Sequence, residues 1–235
     1  AYVTNRIVKA KLPAYLFIPD LHIPFEHRYA LEFCKELQRE HNIDDANVYQ
    51  LGDFTDDYFA NAHEISPDAE KTPNDEIDEA RARIKEWVAA FPLLNQIVGN
   101  HNTRAIRRAA EVALPSQVLK SFRELLELPE SWKVEEQFLL FAEHSPALLI
   151  HGEGFRDAGE AALYNAVNLI MGHLHSKANV RWIKTANQEI YGVDSGCLID
   201  QQAYVYKYSK HGKLKSLIGA TVGLNGLEYC QWRPL

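Results

Sequence analysis

A chain of 235 residues, 46% hydrophobic and 24% charged, has the composition of an ordinary globular protein, with material for one large domain or two small ones. The formal net charge of -7 argues against sequence-blind coating of nucleic acid, and no run approaches the roughly 18–20 apolar residues of a membrane span. Cys34, Cys197 and Cys230 stand far apart without C-x-x-C spacing, so they read as incidental thiols of a reducing cytoplasm rather than a disulfide framework or thiolate zinc site.

Ala1 to Lys11 lacks the apolar core of a signal peptide. Ala14 to Ile18 then reads as a buried strand running directly into Asp20-Leu21-His22. Tyr29 to Arg39 has helical spacing, with Leu31, Cys34 and Leu37 as its apolar stripe. Val48 to Leu51 is a second strand, ending in Gly52-Asp53-Phe54-Thr55-Asp56-Asp57. The polar stretch Tyr58 to Asn74 is expected to be a loop, and about Asp75 to Ala90 a helix with Ile77, Ile84, Trp87 and Val88 inward and its acidic face in water.

Leu93 to Val98 is a third strand, closing in Gly99-Asn100-His101. Asn102 to Leu128 has a helical pattern broken at Pro115, and within it Arg104 and Arg108 share a face. Ala147 to Ile150 is a fourth strand ending in His151-Gly152, Ala158 to Asn165 a helix, and Asn168 to Met171 a fifth strand ending in Gly172-His173-Leu174-His175. Beyond it, strands are expected at Glu189 to Val193, Ala203 to Tyr208, Ser216 to Val222 and Leu227 to Trp232. This last part is locally basic, with eight Lys or Arg against four Asp or Glu from Ser176 onward.

Strands alternating with helices predict an α/β sheet, and ligands of such sheets gather beyond the carboxyl ends of the strands. Five apolar runs each end in ligand-type residues: Asp20, His22, Asp53, Asn100, His151, His173 and His175, with His101 beside them. On an extended chain, His173 and His175 face one side and Gly172 allows a tight bend. A carboxylate such as Asp53 can give one oxygen to each of two cations roughly 3.5–4 Å apart. Mixed imidazole and oxygen donors suit Mn, with Fe, Zn, Co or Ni as other divalent transition metals, better than Ca or Mg. Two such ions acidify a water to supply hydroxide near neutral pH and neutralise phosphoryl oxygens.

The order D-x-H, G-D-x-x-D, G-N-H, H-G and G-H-x-H, carried by Asp20 to His175, closely resembles the calcineurin-like metallophosphoesterase superfamily. Gly99 to Arg104, Leu125 to Pro129, His151-Gly152 with Arg156 and Gly159, and Ser195 to Leu198 look like a phage- and plasmid-borne branch, for which the host cytoplasm would be the location. The resemblance implies two stacked mixed β-sheets flanked by helices, an αββα sandwich forming one domain over 1–235, with insertions at about 58–90 and 103–135. It implies one metal on Asp20, His22 and His175, a second on Asn100, His151 and His173, and Asp53 bridging them. It gives His101 the leaving-group or phosphate contact and Arg104 a phosphate contact, while Asp56 reads as an orienter of histidine or loop.

Asn102 departs from the pattern, since an acid usually follows G-N-H and would hold His101. Asp57-Tyr58 stand where the protein serine/threonine phosphatases have Arg-Gly. The function implied is a phosphoesterase, more a phosphodiesterase on nucleotides or small diesters than a phosphoprotein phosphatase. A DNA or RNA nuclease of the same superfamily is the alternative enzyme, and a non-catalytic scaffold keeping the fold is the alternative of another class. No membrane partner is expected, and nothing in the sequence specifies the oligomeric state.

Overall fold

The computed structural model describes residues 12–61, 71–141, 146–203 and 215–235. Among these residues the elements run β1 (Tyr15–Ile18), α1 (Ala30–His41), β2 (Val48–Gln50), α2 (Pro73–Ala90), β3 (Asn95–Ile97), α3 (Arg104–Glu111), α4 (Phe122–Leu126) and β4 (Lys133–Glu135). They continue with β5 (Gln137–Phe141), β6 (Pro146–Ile150), α5 (Ala158–Asn165), β7 (Asn168–Met171), β8 (Ala178–Lys184), β9 (Glu189–Ser195), β10 (Gly219–Leu224) and β11 (Tyr229–Pro234).

The strands form two mixed sheets, in the orders β11-β10-β1-β2-β3-β4 and β5-β6-β7-β9-β8. In the first, β1 to β4 are parallel; in the second, β6, β7 and β9 are parallel. Period-two alternation decides which residues lie between the sheets. Phe17, Tyr49, Leu51 and Ile97 from one sheet pack against Leu149, Ile170, Tyr191 and Val193 from the other. The intervening residues face outward to helices. Leu16, Ile18 and Val48 meet Cys34 and Leu37 of α1 and Ile84 and Trp87 of α2, while Leu169, Met171 and Ile190 meet Ala158, Ala161 and Ala162 of α5. The result is the expected α/β architecture of two stacked mixed sheets between helical layers.

Trp87 and Trp132 are core residues, each 1% exposed. All three cysteines are buried free thiols. Among the described residues, no helix is long and apolar enough to cross a membrane.

The departures from the predicted elements have local causes. Helix α2 starts at Pro73 because Thr72 accepts from the Asp75 amide in a reciprocal capping box, with Pro73 in the first turn. The segment Asn102 to Leu128 is helical with a break spanning Pro115, as expected, and forms the two helices α3 and α4. Ala113 takes a left-handed φ of 55° after α3, and a second capping box, Ser121 with Glu124, opens α4. Strands β4, β5 and β8 escape the hydrophobic pattern because they are short or half exposed. The strand expected at Ala203 to Tyr208 falls almost entirely outside the described residues.

Candidate metal centre

The carboxyl ends of β1, β2, β3, β6 and β7 open onto one edge shared by both sheets, and every residue predicted from the strand ends meets there. Three overlapping groups have ligand atoms within 4.8 Å of one another: Asp20, His22 and His175; His22, Asp53 and His101; and Asp53, His151 and His173. Asn100 joins the third, its Oδ1 2.7 Å from His151 Nε2. Three of these residues hold left-handed backbone that non-glycine residues rarely adopt, with φ of 53° at His22, 46° at Asp53 and 64° at His173. Such conformations persist only where the surroundings enforce them, and they cluster at functional sites.

The two carboxylates are built alike. Asp20 Oδ1 accepts from the backbone N–H of His173 (2.9 Å), and Asp53 Oδ1 accepts from that of His101 (2.8 Å). One oxygen of each therefore locks the neighbouring strand end, and the other faces inward. Asp20 Oδ2 is 3.1 Å from His175 Nε2 and 3.8 Å from His22 Nε2. Asp53 Oδ2 is 3.2 Å from His151 Nε2 and 3.9 Å from His22 Nε2. Asp53 Oδ2 thus faces both groups, while Oδ1 accepts from His101.

The His173–His175 pair converges by a route other than an extended chain. Leu174 N–H donates to Gly172 O (2.7 Å) and His175 N–H to His173 O (3.2 Å), successive three-residue turns. Gly172 matters for proximity rather than bending, since a Cβ there would lie 2.3 Å from Asp20 Oδ1.

Partners behind the imidazoles aim their nitrogens. His151 Nδ1 lies 3.0 Å from Leu51 O, and His22 Nδ1 lies 2.6 Å from Asp56 Oδ1. Each contact accounts for a proton on Nδ1 and leaves Nε2 directed at the cluster. Facing the centre are nitrogen pairs 3.2 Å apart, His22 Nε2 with His175 Nε2 and His173 Nδ1 with His151 Nε2. Lone-pair donors pointed at one another between buried carboxylates are a donor set suited to cations.

Asp56 also takes the part expected of an acid after G-N-H. His101 Nδ1 sits 2.9 Å from Asp56 O and 3.2 Å from Asp56 Oδ1. Asn102 does not touch His101. Its Oδ1 accepts from Gly99 N–H (3.0 Å), and its amide donates to Thr55 O (3.3 Å) and Oγ1 (3.1 Å), stitching the second and third strand ends together. The departure from the family pattern therefore does not deprive His101 of a carboxylate. Arg104 completes the corner, donating to Asp56 O (2.8 Å) with its other nitrogen 2.7 Å from His101 Nε2.

Burial opposes charge on Asp20, Asp53 and Asp56, yet the surrounding histidines hold all three below the ordinary carboxylate range. Burial likewise opposes charge on His22 and His151, yet the carboxylates raise them to about 10 and about 9. His101 and His173 move down instead, through burial and then the neighbouring His22 and His151 respectively. The carboxylates demand positive charge, which protons on two imidazoles supply and divalent cations supply equally well.

Glu76 departs from the expectation that the acidic residues of α2 face water, because it lies on the buried side of the helix. It is 4% exposed and accepts from the N–H groups of Tyr58 (2.7 Å) and Phe59 (3.1 Å), tying α2 to the loop that carries Asp53 and Asp56. The spacing Glu76, Ala80, Ile84, Trp87 marks the buried face, and a carboxylate on that stripe was the missed signal. Burial first, then the nearby Asp56 and Asp57, push Glu76 up to about 7. Asp57 is likewise pushed up to about 7, by burial foremost.

No family model and no curated protein matches the chain. Among solved structures, an archaeal phosphodiesterase aligns over 94% of this chain and 99% of its own, at 11% identity and a TM-score of 0.48. Vacuolar protein sorting 29 from Cryptosporidium parvum aligns over 91% and 85%, at 13% identity and 0.48. The phosphoesterase YfcE from E. coli aligns over 93% and 96%, at 17% identity and 0.44.

Proposed function

We propose that the chain is a metal-dependent phosphoesterase of the calcineurin-like kind it resembles, one domain over 1–235 with a two-metal site at the shared sheet edge. The observation that carries this reading is the pair of half-committed carboxylates. Asp20 and Asp53 each spend one oxygen on a neighbouring strand end and turn the other onto inward-facing imidazole nitrogens. Asp20, His22 and His175 would hold one ion and Asn100, His151 and His173 the other, with Asp53 between the two groups. The nitrogen and oxygen donor set suits divalent transition metals, and manganese is the ion chosen for the test below. When bound, the ions supply Lewis acidity toward phosphoryl oxygens and a water acidic enough to react near neutral pH.

The protein's own groups supply the rest. Two carboxylates do not cancel two divalent charges, so the site attracts an anionic phosphate ester. Arg104 adds a fixed positive charge 2.7 Å from His101 Nε2, where the substrate's non-bridging oxygens are to be oriented. His101 is held neutral by burial and anchored through Nδ1 to Asp56. Its Nε2 therefore carries the lone pair and accepts from Arg104; once protonated there, His101 would pass that proton to the departing oxygen while Arg104 turns to the phosphate. Small diesters and nucleotides are the favoured substrates, as the net charge of -7 disfavours nucleic acid.

The test is hydrolysis of bis(p-nitrophenyl) phosphate beside p-nitrophenyl phosphate by the Mn-loaded chain, with Asp53→Asn as control. Diester cleavage exceeding monoester cleavage, and abolished in Asp53→Asn, is the expected result. Turnover of neither ester above the control, in a protein that has bound metal, refutes the assignment.

A further inference from the structure

Beside the proposed centre, α3 carries two arginines beyond Arg104 that the hydrolytic step does not use. Arg104 lies against His101, and Arg107 and Arg108 follow one helical turn, about 5 Å, further on. Together they border a cavity of about 250 Å³ whose lining includes Asn61, Asn100, Arg104, Arg107, Arg108 and Glu111. Asn100 belongs to both the cavity lining and the metal cluster, so the two lie side by side. Arg107 donates to Asn100 O (2.7 Å) and lies 3.9 Å from Glu153, and Arg108 donates to Asn61 O (2.6 Å) and Glu111 (2.6 Å). These bonds hold the guanidinium groups at the cavity wall. Both side chains remain open to solvent, 53% and 40% exposed, so each keeps donors for a further anion.

We infer that this cavity is a subsite for a second phosphoryl group, and that the substrate is a compact small molecule carrying two phosphates. One phosphate is cleaved at the metal centre and the other is held by Arg107 and Arg108. The subsite presupposes the phosphoesterase reading above. A guanidinium fork matches phosphate oxygens geometrically as well as electrostatically. A cavity of about 250 Å³ suits one phosphorylated group better than a running polynucleotide, and Glu111, paired with Arg108, adds a negative charge to its lining.

The test is calorimetric titration of the Mn-loaded full chain with thymidine 3′,5′-bisphosphate, thymidine 5′-monophosphate and a single-stranded oligothymidylate. The bisphosphate is expected to bind about tenfold more tightly than the monophosphate, as one added charge-assisted contact implies. In the Arg107→Ala, Arg108→Ala double variant that ratio should fall to about one. Glu111→Gln, which frees Arg108 from a competing carboxylate, should raise the ratio, an outcome that misfolding does not produce. Equal affinities in the wild type, or a ratio that survives the double variant, overturns the subsite. An oligothymidylate that binds more tightly than the bisphosphate overturns the small-molecule assignment. Hydrolysis of thymidine 5′-(p-nitrophenyl phosphate), with and without a 3′-phosphate, is followed in parallel. Preference without turnover removes the hydrolase reading alone, and turnover without preference removes the subsite alone.

Discussion

Replacing Asp56 by Asn tests whether one buried carboxylate organises both the metal cluster and the residue beside it. The substitution keeps the shape but exchanges an acceptor oxygen and its charge for an amide. His22 then loses a 2.6 Å charge-assisted bond at Nδ1, and His101 loses its 3.2 Å contact with the same oxygen. A hydrogen bond to a charged group contributes about 1.5–3 kcal/mol, or roughly 10- to 150-fold in an equilibrium constant. Loss of a partner that orients a metal-binding imidazole typically costs 10- to 100-fold in affinity or activity, in the same range. Calorimetric titration of Mn²⁺ into the apoprotein should therefore show one of two sites weakened by at least about tenfold. Diester turnover should fall by a similar factor, while the circular dichroism spectrum is unchanged. A folded variant whose metal affinity and turnover both stay within about twofold of wild type would refute the role given to Asp56.

Asn102→Asp, which restores the acid usual in the resembling family, should bring no gain in turnover. Loss of the amide's bonds to Thr55 should lower stability by about 1–3 kcal/mol in urea unfolding, and faster turnover would count against the geometry described. Glu76 is raised from its ordinary 4.5 to about 7, so the folded state keeps a proton that the unfolded chain releases. Its stability contribution is thus greatest below pH 4.5 and falls by up to roughly 3 kcal/mol as pH rises through 7. Glu76→Gln should remove that loss, so unfolding curves at pH 5 and pH 8 should show the variant gaining on wild type; parallel pH dependence speaks against it. Gly99→Ala would put a Cβ 2.2 Å from Asp53 N and Oδ1, and turnover should drop by at least about 100-fold. Removing metal from protein equilibrated at a hundred times the dissociation constant should cost about 2.7 kcal/mol, read as a Tm lower by roughly 5–10 °C. An unshifted Tm would mean that no ion binds the folded state.

The site's membership was legible in the sequence because strand ends are. Strand-like runs of four to six residues stop abruptly before Asp20, Asp53, Asn100, His151 and His173, and parallel strands deliver their carboxyl ends to one edge. Period two separates Phe17 from Leu16 and Ile18, but with all three apolar only the fold decided that Phe17 faces the second sheet and the other two the helices. What the sequence left open depends on turns and on partners distant in the chain. Residue order does not reveal the left-handed backbone at His173, or that Asp53 would spend Oδ1 on the His101 amide. Nor does it tell that Asp56, not residue 102, would face His101, because that choice is made between loops 45 residues apart. Glu76 on a helix and Arg107 and Arg108 beside a cavity were chemically ordinary until packing buried the first and grouped the others. Periodicity determines which face of an element is buried; only the folded loops determine which atom of a side chain meets which neighbour.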